Sequence, residues 1–437
     1  MTFFYYILSL LLGLLIIRSR GSKRLVLYYT AIMLVPSGFN VLPYSFIAGN
    51  MFFLFMFLIS MFWHRELKFK IFNSPFNGPI LFLFISYLLI GLLDTRVGPI
   101  LGSYRGLIAF LGSYSLFYIG WVSLKSYDDD YFIKTIIPIT IIVTLYGIFT
   151  GIFKINPISD YFYPPDPYHV SDYSDNFRGF RVTGFMHSCS VYGMFCFFLF
   201  LLGYSSIKGK TRLFKGAVLL LLLNLFLTAT RAAIIPSLVG ITVFLLCYKG
   251  LSKTFKIFLS SLLIILVFLL IMPSSITDYF YQLFDSIVDV VSPSGTGGEK
   301  YGGSNVDARQ MQIATAFYEY LPERPLFGHG FAYNQEVMGG VKDEQLLGME
   351  SYLCFLGVEY GLVNIIAVLA FYISMLIYFI RGFRYDRLNA SIGLAFLIMF
   401  ILFLIFAWVG DNWYYSMPMF GYVAKRLYLS KAYSSCK

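Results

Sequence analysis

The residues able to do chemistry in this sequence are a set of arginines, a histidine and two glutamates beside apolar runs or within one hydrophilic loop. Arg231 sits in Thr228-Ala229-Thr230-Arg231-Ala232-Ala233, at a hairpin between two apolar runs. There it either snorkels to the interface as an anchor or holds an anion. Arg309 falls in the first turn of a predicted loop helix, where it is either a solvated helix residue or a ligand for the same anion. Arg178 and Arg181, in Arg178-Gly179-Phe180-Arg181-Val182-Thr183-Gly184-Phe185, flank glycines ahead of another apolar run and carry the same two readings. Arg324 and Arg105 are weaker candidates. A guanidinium keeps its charge at low dielectric and grips phosphate oxygens in pairs, so several on one side suit a multiply charged anion.

His329, in Pro325-Leu326-Phe327-Gly328-His329-Gly330-Phe331, lies between glycines in a turn. It either bonds backbone groups there or takes part in proton transfer. Glu350 opens Glu350-Ser351-Tyr352-Leu353, where a carboxylate complements a helix dipole or acts as general base toward a hydroxyl. Glu359 reads as a buried, hydrogen-bonded carboxyl. Asp343-Glu344 could ligate a metal but has no histidine or third carboxylate near it in sequence, so no metal is expected. Nucleotide P-loop, dinucleotide, HExxH and GxSxG patterns are absent, and no cofactor is called for. The five cysteines, Cys189, Cys196, Cys247, Cys354 and Cys436, form no CxxC pair, and four of them lie in apolar runs as small hydrophobes.

These residues must be positioned by membrane-spanning elements. Of 437 residues, 58% are hydrophobic and only 13% charged, about half the charge a soluble domain carries. That excludes a soluble globule, a disordered chain and a small disulfide scaffold. Apolar runs fit for helical crossings lie near 2–17, 25–42, 46–63, 79–93, 103–124, 132–153, 187–204, 215–229, 232–248, 257–272, 350–380 and 390–410. A short thirteenth is expected near 412–424. The chain is therefore expected to be an all-α polytopic integral membrane protein of about 12–13 transmembrane helices. The first run lacks a basic leader and is followed by Arg18, Arg20, Lys23 and Arg24, which reads as an N-out anchor.

Alternation then places loops 18–24, 64–70, 125–134, 205–215, 249–256 and 381–387 and the tail 425–437 on the cytoplasmic side. They hold 23 of the 33 Lys/Arg but only 5 of the 23 Asp/Glu. The net charge of +10 is thus dispersed over short loops, which argues against a nucleic-acid partner. The predicted organisation is N-terminal spans over 1–153, an outer loop over 154–186, central spans over 187–272, a large outer loop over 273–349 and C-terminal spans with a cytoplasmic tail over 350–437. The first outer loop holds Pro164, Pro165, Pro167 and the acids Asp160, Asp166, Asp172 and Asp175. In the large loop, glycines from Gly295 to Gly303 read as flexible. Ser304-Asn305-Val306-Asp307 then resembles a capping box starting a helix with Met311, Ala314, Phe317 and Leu321 on one face, stopped by Pro322. No internal repeat is evident, which weighs against an inverted-repeat transporter.

In order and spacing, four of these stretches resemble the O-antigen polymerase/ligase superfamily of bacterial cell-envelope glycosyltransferases. They are Arg181-Val182-Thr183-Gly184-Phe185, Thr230-Arg231-Ala232-Ala233, Ala308-Arg309-Gln310 through Pro325-Leu326-Phe327-Gly328-His329-Gly330-Phe331, and Glu350-Ser351-Tyr352-Leu353 with Glu359-Tyr360-Gly361-Leu362. The resemblance covers roughly 178–365. Ligases carry a His-Asn pair where this chain has Met349-Glu350, so the resemblance points to the polymerase branch. It implies a GT-C-like fold in the bacterial inner membrane, with an active site facing the periplasm. It also implies metal-independent polymerisation of undecaprenyl-pyrophosphate-linked repeat units into O-antigen or capsule. Such glycans would be donor and acceptor, the lipid bilayer their medium and a chain-length regulator a partner. Arg231, Arg309, Arg181 and Arg178 would bind the pyrophosphate, and Glu350 or His329 would be catalytic. The rival readings are an O-antigen ligase, which delivers glycan to lipid A core or protein, and a lipid-linked oligosaccharide flippase.

Overall fold

The computed structural model describes residues 1–36, 39, 49–66, 73–127, 129–162, 181–186, 188–271, 281, 306–333, 351–407 and 412–435. Among these the chain is wholly helical, with no strand, and it is a polytopic membrane protein. Among the described residues, five helical stretches are long and apolar enough to cross a bilayer: Pro99–Ser123, Tyr131–Phe153, Arg231–Lys249, Tyr352–Gly382 and Arg387–Ile405. Shorter apolar helices accompany them.

In chain order the elements are α1 (Thr2–Arg18), α2 (Gly21–Leu34), α3 (Gly49–Trp63), α4 (Asn77–Leu92), α5 (Pro99–Leu111) and α6 (Phe117–Ser123). There follow α7 (Tyr131–Phe153), α8 (Pro157–Phe162), α9 (Cys189–Ser205), α10 (Arg212–Leu227), α11 (Arg231–Lys249) and α12 (Leu251–Ile271). The chain continues with α13 (Val306–Thr315), α14 (Tyr352–Phe355), α15 (Gly361–Gly382), α16 (Arg387–Phe406) and α17 (Asn412–Ser435). Local signals set several starts. Ser188, Thr211 and Asp386 cap α9, α10 and α16 through their side chains, and Pro99 opens α5. Where α6 crosses α17, a Cβ on Gly120 would overlap the Pro418 carbonyl and one on Gly421 the Phe117 carbonyl. Only glycine allows the two backbones that close.

The structure refines three expectations. The run 103–124 lies within the apolar helical stretch Pro99–Ser123, which tightens into a 3₁₀ turn at Tyr114–Leu116 between α5 and α6. The hydroxyl of Ser113 bonds the Ala109 carbonyl at 2.6 Å, competing with the helical backbone there. The short crossing at 412–424 is the first half of α17, which runs on through most of the stretch read as a tail. Its extension is held by Lys425 over Trp121 and Tyr428, both at 4.6 Å, and by Arg426 on Asp130 at 3.2 Å. Pro322 lies one residue before the loop helix ends. The helix widens into a π-turn over Ala316–Tyr320 and continues through Leu321–Glu323. A π-turn loosens the i to i−4 ladder that a proline ring would otherwise block.

The loops predicted to share one side gather at one end of the bundle. Asp130 faces Lys134 at 3.8 Å, Lys210 at 3.9 Å and Arg426 at 3.2 Å. Tyr127 donates to Asp386 at 3.1 Å, Ser22 donates to Asp129, and Arg20 bonds His64 at 2.9 Å. Arg24, fully buried, pairs with Glu66 and lies 4.4 Å over the Phe57 ring. Arg387 Nε on the Cys247 carbonyl at 2.7 Å sets α11 and α16 antiparallel.

Candidate functional site

At the opposite end, the turn 325–331 is zipped onto the start of α15. Between α14 and α15, Leu356–Tyr360 forms a second π-turn, which leaves carbonyls free of their usual helical partners. His329 N–H donates to the Val358 carbonyl at 2.9 Å and Gly330 N–H to the Glu359 carbonyl at 3.0 Å. In return, Leu362 N–H reaches the Pro325 carbonyl at 2.8 Å and Val363 N–H the Leu326 carbonyl at 3.1 Å. Gly328, Gly330 and Gly361 all have positive φ, at 61°, 95° and 70°. A Cβ on Gly328 would overlap the Glu359 carbonyl, so the glycines are what allow the two backbones to meet. The two π-turns also pack together, with Ala316, Cys354 and Val358 buried between them.

The zip fixes His329, which is 7% exposed. Its ring lies 4.5 Å from the Tyr333 ring, and Nε2 is 3.2 Å from the Tyr320 carbonyl and 3.5 Å from Glu323. A carbonyl can only accept, so Nε2 carries the proton and Nδ1 of the neutral ring keeps its lone pair. Burial pushes the imidazole below its ordinary 6.5; the Tyr320 carbonyl and Glu323 oppose this, and Arg324 and Arg96 add to it. Beneath the turn lies an aromatic floor. Phe331 is 5.4 Å from both Tyr87 and Tyr360, and Trp413 is 5.7 Å from Tyr352 and 4.8 Å from Tyr114.

The loop between α4 and α5 closes over this turn. Arg96 is held by both oxygens of the buried Asp94, through Nε at 3.1 Å and Nη2 at 2.8 Å. The same Nη2 donates to the Phe331 carbonyl at 3.1 Å. Arg105 Nη1 approaches that carbonyl at 3.5 Å, and Arg324 Nη2 bonds Thr95 at 3.2 Å. Arg105 and Arg324, weak candidates in the sequence, therefore meet at one place. Asp94 and Arg96 are absent from the sequence-derived candidates. Their signal was an Asp-x-Arg in a short loop on the acidic side.

A second constellation forms where the segment 181–186 meets the hairpin between α10 and α11. Val182 N–H donates to the Leu227 carbonyl at 3.3 Å, and Asn156 bonds Thr183 at 2.7 Å. Thr230 faces Ser190 at 3.2 Å. This sets Arg181, Thr228 and Arg231 in one hairpin region, with Arg231 as the first residue of α11. Ala229 there has φ of 48°, a left-handed conformation uncommon for alanine. The antiparallel register of α11 and α16 places Arg231 opposite the last turn of α16, whose Leu404 carbonyl accepts from Ser351 at 3.4 Å. Arg231 and the start of α14 thus lie at the same end of the bundle.

Arg309 is on the first turn of α13, which packs against α14. Its side chain lies outside the described residues, as do Arg178, Glu350, Asp343-Glu344, Ser304 and the glycines 295–303. Glu359 is buried, as expected. The described residues contain no His/Cys/Asp/Glu group able to hold a metal.

Residues 216–369 match the family model described as O-Antigen ligase. The matched stretch includes Arg231, Arg309, His329, Glu350 and the first part of α15, and excludes Arg181 and the Asp94–Arg96 loop. No curated protein matches the chain.

Proposed function

We propose that this chain, which carries an O-antigen ligase-family domain over residues 216–369, extends lipid-linked glycans as a polymerase. The end holding His329 and Arg231 faces outward in this reading, because basic loops stay on the cytoplasmic side. The donor is a glycan on undecaprenyl pyrophosphate and the acceptor a repeat unit on the same carrier.

An acceptor hydroxyl oxygen attacks the anomeric carbon and forms the new glycosidic bond. The bond from that carbon to the pyrophosphate breaks, and its electron pair leaves with the carrier. The hydroxyl proton passes to Glu350 or His329. Pyrophosphate is a good leaving group, so the main demand is preorganised positive charge for the departing phosphate. Arg231 and Arg309 serve that role, with Arg181 and Arg178 supporting it. No nucleotide, metal or other cofactor enters the step.

The observation that carries the reading is the zip between the glycine turn and the start of α15. Both partners lie within the matched stretch, and the zip holds a neutral, partly shielded imidazole at the same end as Arg231. Met349-Glu350, where ligases carry His-Asn, favours the polymerase over the ligase.

Deleting the gene and resolving the surface glycan on a gel tests this. Cores with one repeat unit should remain and longer bands vanish, whereas complete loss of capping would indicate a ligase or flippase. Arg231→Ala and Arg309→Ala should each abolish extension while the protein accumulates. Wild-type ladders from both would remove the anion site, and normal extension by Glu350→Gln would exclude that carboxylate as base.

A further inference from the structure

Asp94 and Arg96 lie outside the family-matched stretch, yet they meet the residues that follow His329. A Cβ on Gly330 would overlap the Asp94 carboxylate, so that carboxylate abuts the residue following the histidine. Arg96 donates to the next carbonyl, that of Phe331, and its Cζ lies 5.0 Å over the Tyr333 ring. Tyr333 in turn packs on the imidazole at 4.5 Å. Asp94 also accepts from the Arg96 backbone N–H at 3.0 Å, so main chain and guanidinium are tied to one carboxylate whose side chain is 0% exposed. A buried ion pair is weak support for stability, because well-packed apolar groups often do as well. What it supplies is a fixed direction, since a guanidinium held at two edges cannot turn.

We propose that the Asp94–Arg96 pair is the positioning element of His329, locking the glycine turn so that the imidazole presents Nδ1 to the acceptor hydroxyl. The inference rests on the reading of His329 as a proton-accepting group in glycan extension. The imidazole then has two supports. The π-turn before α15 holds its backbone through Val358 and Glu359, and the α4–α5 loop holds its ring through Tyr333.

The charged groups around the ring are Glu323 and Arg324, at the end of the helical turn Leu321–Glu323, and Arg96 on the α4–α5 loop. Glu359 lies on the π-turn behind it, and Tyr320 and Tyr333 flank the ring. Arg96 disfavours the protonated ring. Removing its charge therefore raises the pH below which the ring is protonated and cannot accept.

The test uses the full-length protein in lipid vesicles, with a lipid-linked repeat unit as substrate and extension followed across pH. In parallel, carbethoxylation of His329 by diethyl pyrocarbonate is followed by peptide mass spectrometry. His329→Ala should be inactive. Arg96→Gln and Asp94→Asn should extend roughly 10- to 100-fold more slowly, as expected for a misplaced group. For Arg96→Gln, the acid limb of extension and the midpoint of His329 modification should both move to higher pH. Arg96→Lys keeps the charge but not the fork, so it should slow extension and leave the acid limb in place; it also serves if the glutamine variant does not accumulate.

An inactive His329→Ala beside wild-type extension in the Arg96 and Asp94 variants would overturn the positioning role and leave the proposed function standing. Slower Arg96→Gln with unmoved midpoints would reduce the pair to a scaffold and overturn it as well. Wild-type extension by His329→Ala would remove the histidine from the reaction and the positioning role with it.

Discussion

At the basic end of the bundle, Asp130 stands among Lys134, Lys210 and Arg426, while Lys425 lies on aromatic rings and Arg24 is buried on Glu66. At the other end, Arg96 and Arg105 reach a backbone turn that holds two glycines with positive φ, Arg324 ties that turn to Thr95, and an imidazole sits within it. The first end uses charge to fasten helices. The second uses it to hold a strand of backbone and the residue it carries. Counting charges does not separate these roles; the separation comes from what the charges hold, packed helices in one case and the turn that carries an imidazole in the other.

Variants at the two ends should therefore fail differently. The largest effect is expected from Gly328→Ala. A left-handed alanine costs about 1–2 kcal/mol, and its methyl would also overlap the Glu359 carbonyl. Long glycan bands should disappear, and full-length bands from this variant would break the comparison. Arg24→Met should come next, but as a loss of stability only. Stranding Glu66 beside an apolar group costs about 3–5 kcal/mol, while the double change Arg24→Met with Glu66→Leu should recover most of it. Thermal unfolding in detergent reads both, and extension per folded molecule should stay unchanged.

The pH profile of the wild-type protein sharpens the contrast. Burial holds His329 below 6.5, so the neutral form dominates at pH 7 and extension should fall only as pH drops below 6.5. An acid limb above that value would exclude this imidazole as the group being titrated. Asp130→Asn should cost about 1 kcal/mol, since its partners are only partly shielded, and the loss should shrink in high salt. A drop in extension rate beyond the loss of folded protein would show that the basic end does more than fasten. The smallest effect belongs to Ala229→Gly, which relieves a left-handed alanine and should raise the unfolding midpoint slightly.

Much of the fold was legible beforehand. The predicted runs 132–153 and 232–248 fall within one or two residues of α7 and α11, and the basic loops gather at one end as their charge implied. Less legible was where local chemistry interrupts a uniform apolar pattern, as at Ser113 inside the stretch Pro99–Ser123. The stop near Pro322 was legible, but nothing local announces that a π-turn will precede it. At the site, His329 and its glycines stood out in the sequence, but the structure, not the sequence, tied them to Val358 and Glu359.

Spans follow from hydropathy summed over some 20 neighbouring residues, so the amino-acid order was sufficient to determine them. The partner of Arg96 was not, because Phe331 lies 235 positions away. Two such residues meet only after α4, α5, the loop helix and α15 have packed. Which cation steadies the histidine was thus decided by tertiary structure.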